Sequence, residues 1–252
     1  MFAQTREEGP AYEAARHLLT ADINAAVQGC REGGADYVCV LDGHGHPFNI
    51  IPEELHPRAE YLCGRGFPSL WADLEEGFDC AMQIGAHAMA RTPDGILCHT
   101  QNSRMDCRYW YNGRESGEIA QCALAYGQYG IPCVMVSGDS AGCREATEFL
   151  GENVVTVPVK KGYGRECGRL LAPEKAHELI RKGAKEAIRQ RIGLCQPYVI
   201  ETPLRARHER LVERLDDNAT PEQIAAAPHV AFEKVCDNQL DLYSFGPEHQ
   251  VT

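Results

Sequence analysis

Apolar residues recur every three to four positions near the start of the chain: Tyr12, Ala15, Leu18, Leu19, Ile23, Ala26 and Val27. That period predicts an amphipathic helix over residues 10–30, closed by the glycine pair Gly33 and Gly34. The pattern then changes to short unbroken apolar runs. Residues 37–41 (YVCVL) predict a continuous apolar strand, followed by the loop LDGHGHP, the polar stretch PEELHPRAE and a short strand near Tyr61–Cys63. Asp79–Gly85 predicts another buried strand that leads to His87, and Ile96–His99 an extended segment. NGRESGE predicts a turn into a helix, Glu118–Tyr129, with Glu118 in its first turn. IPCVMVSGD then reads as a strand with a glycine turn, Ala141–Leu150 as a helix and VVTVPV as a strand.

Strands alternating with helices at this spacing predict an α/β fold, a mostly parallel sheet with helices on both faces. Beyond about residue 160 the texture differs. A long charged helix is expected over Pro173–Arg191, then a strand YVIET, a polar helix near Arg205–Leu215 and a strand HVAFEKV. This predicts a C-terminal α+β module. The expected division is therefore residues 1–160 for the α/β domain and 161–252 for a module packed on it.

Composition narrows the possible partners. Among 252 residues, 25 Lys and Arg face 36 Asp and Glu, a net charge of -11, with no basic stripe, which argues against nucleic acid. No run of about 18 apolar residues is present to span a membrane, and MFAQTREEGP lacks a secretory pattern. The 12 cysteines are scattered and form no CxxC pair, as expected for reduced thiols in a cytoplasmic protein.

Four isolated polar groups carry the candidate chemistry: His44 in LDGHG, His87 in IGAHA, His99 in LCHTQN and Glu118 in ESGEIA. Each lies at the end of an expected strand or the start of an expected helix, where open α/β sheets gather their ligands. Two or three imidazoles and a carboxylate suit zinc, with one histidine left for proton transfer. Simpler readings stand beside this one. His44 fits a hydrogen-bonded surface loop, and Glu118 complements a helix dipole. Asp42 suits an acceptor that orients an imidazole, and Asp139 a turn or helix cap. No GxGxxG, HExxH or GxSxG motif offers a competing chemistry.

The succession GPAYEAARHLLTADINAAV, LDGHG with PFNIIPEELHP, GFDCAMQIGAHAMARTPDGILCHT, NGRESGEIAQCALA and GIPCVMVSGDSA resembles the D-aminopeptidase family of zinc metallopeptidases. The resemblance extends over nearly the whole chain. It implies zinc at the strand ends of an α/β domain, two ions per subunit in the family, and a homo-oligomeric ring. It also implies release of N-terminal D-residues from short peptides or amides. Residue by residue, it implies zinc ligands at His44, His87 and Glu118 and a catalytic histidine at His99.

The chain departs from the family at its start. The family opens with a strand ending in Asp-x-Glu-Gly, whose aspartate bridges the zincs, whereas Glu7, Glu8 and Gly9 lack that spacing and precede a helix. Two dications about 3.5–4 Å apart normally share a bridging anion, so one zinc or none is the expectation for this chain. Either the natural protein starts upstream of Met1 or the lineage has lost the bridge. The alternative expectation is a catalytically impaired relative acting as a ring scaffold or small-peptide binder.

Overall fold

A computed structural model describes residues 9–43, 48–64, 73–216, 219–243 and 245–251. The first helix, α1 (Tyr12–Gly33), ends where the glycine pair predicts. Gly34 takes a left-handed φ of 110°, and its N–H reaches the carbonyls of Cys30 and Arg31. Two short strands, β1 (Cys39–Leu41) and β2 (Glu60–Leu62), pair in parallel. They are followed by β3 (Ala81–Ala86), the hairpin strands β4 (Arg108–Tyr111) and β5 (Arg114–Glu115), and α2 (Glu118–Gln128). Next come β6 (Cys133–Asp139), α3 (Ser140–Leu150), β7 (Val155–Gly164), β8 (Cys167–Leu170) and α4 (Pro173–Glu186). Five π-helical residues, Ala187–Arg191, lead on to β9 (Leu204–Leu211), α5 (Pro221–Ala226), β10 (His229–Cys236) and β11 (Gln250–Val251).

The fold is α/β, as expected. β3, β6 and β7 run parallel in that order, and β8 adds antiparallel at the edge. All seven residues of β6 are buried, the signature of a strand covered on both faces. Ala26 and Cys30 of α1 and Ile180 and Ala184 of α4 pack with Met135 and Val157. The two helices approach closely because α1 carries Gly29, where a Cβ would stand 2.3 Å from the Arg181 carbonyl oxygen. Ile119 and Ala123 of α2 and Ala146 of α3 form a second core with Cys133 and Val136. Val40 of β1 and Val38 just before it pack under α1, in a cluster that also takes in Ile84 of β3. Among the described residues, however, no ladder joins β1 to β3. No described helix is long and apolar enough to cross a membrane.

The second layer is an antiparallel sheet in the order β11-β10-β9-β4-β5. It combines strands from residues 108–115 with strands from 204–251, so it draws on both sides of the division expected at residue 160. Three expectations are corrected here. The polar helix expected near Arg205–Leu215 is the strand β9. Its inward positions, Leu204, Ala206 and His208, are buried and alternate with Arg205 and Arg207, and a small residue and an imidazole disguise that period of two. YVIET joins no ladder; the Tyr198 carbonyl instead presses on α2, where a Cβ at Gly127 would be only 2.0 Å away. Ile96–His99 is a turn with Leu97 at φ 53°; Ile96 packs against Gly162 of β7 and Gly168 of β8, and the Leu97 N–H donates to the Arg165 carbonyl at 2.7 Å. The hairpin loop Asn112-Gly113 has both φ values positive, 49° and 84°, as a two-residue type I′ turn requires. It turns RYWY into β4, a strand that the sequence reading had not placed.

His208 is buried in this sheet, stacked on Tyr109 at 4.3 Å and beside Phe232 at 5.6 Å. Among the described residues, neither ring nitrogen has a hydrogen-bond partner. Burial, reinforced by Arg210, pushes the imidazole from its ordinary 6.5 down to about 4. The folded state therefore binds fewer protons than the unfolded one. This part of the stability is complete above pH 6.5 and is lost as the pH falls towards 4, up to about 3 kcal/mol. Urea unfolding at pH 7 and pH 4.5 should show a smaller acid loss in His208→Leu than in the parent by about 2 kcal/mol. An identical acid loss in both would show that the ring is not the acid-sensitive group.

Candidate metal centre

The last two residues of β6 organise the site. At Gly138 the neighbouring strand comes so close that a Cβ would lie 2.1 Å from the Ala86 carbonyl oxygen. This brings the end of β3, and His87 just beyond it, against β6. Asp139 is fully buried. Its Oδ1 accepts the Gly142 N–H at 2.7 Å, capping α3, and its Oδ2 accepts the Ile96 N–H at 2.6 Å. The cap is as expected; the grip on the turn at Ile96 was not foreseen.

That turn delivers His99 beside His87. The His99 N–H donates to the Ala88 carbonyl at 3.3 Å, and the Ala90 N–H to Thr100 Oγ1 at 3.1 Å, so the two segments run side by side. The imidazoles of His87 and His99 stack with centroids 3.9 Å apart and planes 18° off parallel. Glu118 enters from the first turn of α2. Its Oε1 lies 3.7 Å from His87 Nε2 and 3.8 Å from His99 Nε2. The side chains of His87, His99 and Glu118 keep 21%, 23% and 31% of their surface, so water and small ligands can reach them.

The proton positions follow from the partners. His87 Nδ1 lies 3.1 Å from the Ala88 carbonyl and His99 Nδ1 2.5 Å from the Leu97 carbonyl. A carbonyl only accepts, so each Nδ1 carries hydrogen and a neutral ring leaves its Nε2 lone pair bare. Burial, and then the adjacent His87 ring, push the His99 imidazole down to about 4, which keeps that ring neutral. Three groups able to donate electron pairs, all within 4.8 Å of one another, thus converge. The separations are too long for hydrogen bonds. Two ligand atoms each about 2.1 Å from one zinc lie at most about 4.2 Å apart, so the 3.7 and 3.8 Å separations fit a single ion. A carbonyl on each Nδ1–H is the usual support for a metal-binding histidine. The donor set and its geometry fit zinc.

Glu118 has its own support. Its Oε1 accepts the Gln101 N–H at 2.5 Å. The Gln101 side chain donates to Gln121 Oε1 at 2.7 Å, and Gln121 Nε2 donates to the Tyr111 hydroxyl at 2.8 Å. Sequence reasoning singled out neither glutamine. Gln121 shares the inward face of α2 with Leu124 and Ala125, and a polar residue on that stripe was the available signal. His44, expected as a further ligand, lies outside the described residues. Among the described residues, Asp42 accepts from Asn49 on both its oxygens, at 2.7 and 2.9 Å.

Comparison with known proteins bears on this arrangement. The model of peptidase family M55, described as D-aminopeptidase, matches residues 1–231. A curated D-aminopeptidase of Bacillus subtilis (strain 168) is 34% identical over 171 residues, which cover 67% of this chain and 61% of the relative. The chain thus matches somewhat less than two thirds of that relative's length. A solved structure, the Zn-dependent D-aminopeptidase DppA from Bacillus subtilis, a self-compartmentalizing protease, superposes with a TM-score of 0.83 at 24% identity. The superposition covers 96% of this chain and 88% of that one.

Asp139→Ala should leave two buried N–H groups without an acceptor, a loss of roughly 3 kcal/mol. Thermal unfolding should then show a Tm lower by roughly 6–12 °C. A Tm within about 2 °C of the parent would mean that the turn is held by something else.

Proposed function

The chain belongs to the D-aminopeptidase family, and from that premise we propose that it is a zinc-dependent aminopeptidase releasing N-terminal, D-configured residues from short peptides or amides. The observation that carries this reading is the convergence of His87, His99 and Glu118 on one point, with each imidazole's Nδ1 held by a backbone carbonyl. His87 and Glu118 would hold the metal, and the family resemblance adds His44. Zinc bound there supplies Lewis-acid polarisation of a carbonyl and lowers the pKa of water to about 7.

His99 is the acid–base group in this reading. Its Nδ1–H is fixed by the Leu97 carbonyl, so the Nε2 lone pair can take a proton from the attacking water and hand it to the departing amine. Gln101 orients the Glu118 carboxylate through its backbone N–H. A homo-oligomeric ring in the cytoplasm, acting on short peptides, completes the proposal; the self-compartmentalizing character of DppA supports the assembly.

One observation favours a different division of roles. His99 Nε2 stands as close to Glu118 as His87 Nε2 does, and its Nδ1 is tied in the same way. His99 would then be a third ligand to a single zinc.

Zinc content and hydrolysis of D- and L-alanyl p-nitroanilide separate these readings. His87→Ala and Glu118→Ala should lose metal. His99→Ala should keep it while turnover falls by about 10²–10⁴-fold. Loss of zinc from His99→Ala would make His99 a ligand. Zinc binding with no hydrolysis of either anilide by the parent would reject the peptidase reading in favour of a peptide binder.

A further inference from the structure

Three segments meet at one buried carboxyl group that has no role in the scheme above. Glu145, on α3, is 5% exposed. Its Oε2 accepts the N–H of Met89 at 2.7 Å, two residues beyond His87. Its Oε1 faces Gly117, the residue before Glu118. A Cβ at Gly117 would stand 2.4 Å from that oxygen and 2.6 Å from the Met89 Cβ, so the three backbones close on one another only because residue 117 is glycine. Oε1 is buried and, among the described residues, has no hydrogen-bond partner.

An oxygen buried without a donor is unfavourable, and a leucine or methionine would fill the same volume without that cost. An apolar side chain, however, would leave the Met89 N–H unpaired and release the segment after β3 from α3. Burial pushes the Glu145 carboxyl up to about 7, so its neutral form is accessible and an amide is a close mimic of it. The residue was legible in principle. It lies on the buried stripe of α3, with Ala141, Gly142, Ala146 and Phe149, as the single acid on an otherwise apolar face.

The geometry points to Glu145 as a positioning residue that sets the separation of the His87 and Glu118 arms and thereby the affinity of the site for a divalent metal. The inference rests on the metal-site reading above. Residues that support metal ligands from behind typically change affinity by about 10–100-fold when removed.

Zinc affinity, measured by competition with a chromophoric chelator, tests the inference, with the visible absorption of the cobalt-substituted protein as a second readout. The full chain would be compared with E145A, E145Q and A146G, the last a helix-weakening change next door that removes no polar contact. E145A should bind zinc about tenfold or more weakly and shift the cobalt spectrum. E145Q, whose amide oxygen can accept the Met89 N–H, should stay within about threefold of the parent. A146G should lose thermal stability but keep its affinity. Unchanged affinity in E145A overturns the proposal, and so does an E145Q as weak as E145A. Parallel losses in E145A and A146G overturn it too, because they would make Glu145 a residue of general stability. These three outcomes leave the metal site standing. Failure of the parent itself to bind zinc would remove the metal site and this proposal together.

Discussion

The carboxylate of Asp139 couples the sheet to the chemistry. It sits at the last position of the central strand, β6, and its two hydrogen bonds fix the start of α3 and the turn at Ile96. A charged acceptor with two backbone donors in a buried setting is among the stronger local constraints a fold can carry. From it follow the position of the turn, the approach of His99 to Ala88 and the stacking of the two imidazoles. Gly138, one residue earlier, removes the side chain that would hold β3 away. The SGDSAG segment therefore acts less through contact with any ligand than by bringing two strand ends and one turn to a common point.

The resulting cluster is electrostatically incomplete. Each imidazole has its Nδ1 side held by a backbone carbonyl, so His87 and His99 both turn Nε2 toward the Glu118 carboxylate. Protonating both rings would place like charges 3.9 Å apart in a half-buried site. A divalent cation satisfies all three donors at once, which is why the arrangement reads as a metal site.

Much of this was legible in the chain. The continuous apolar runs of β3 and β6 predict parallel strands, and the polar residues at their ends and at the start of α2 stand out because so little else there ionises. The misreadings share one cause: local pattern does not reveal where the chain crosses from one layer to another. ILC between Gly95 and His99 has a strand's composition, but Asp139 captures Ile96 and Leu97 takes a left-handed backbone. LRARHERL has a helix's charge, but its partners β4 and β10 impose a period of two. The stacking of His87 on His99 depends on that long-range capture, so no window of sequence contains it. Glu145 stayed unread for a related reason: its role is set by Met89 and Gly117, which lie 56 and 28 residues away along the chain.

The two sheets divide the work of building the site. The parallel sheet places both histidines, through the ends of β3 and β6. The antiparallel sheet reaches Glu118 by another route: β5 ends at Glu115, two residues before the Gly117 cap of α2, and Tyr111 of β4 anchors the Gln121–Gln101 relay to the carboxylate. A third tie crosses the same seam. Arg91, four residues beyond His87, grips Asp106, and Asp106 also meets His229 at the start of β10. The candidate metal-binding groups therefore lie where the two layers abut. Helices cover a sheet's faces but not its strand ends, and at this seam neither layer closes over the other. That placement leaves His87, His99 and Glu118 partly open to solvent while their backbones are fixed from both sides.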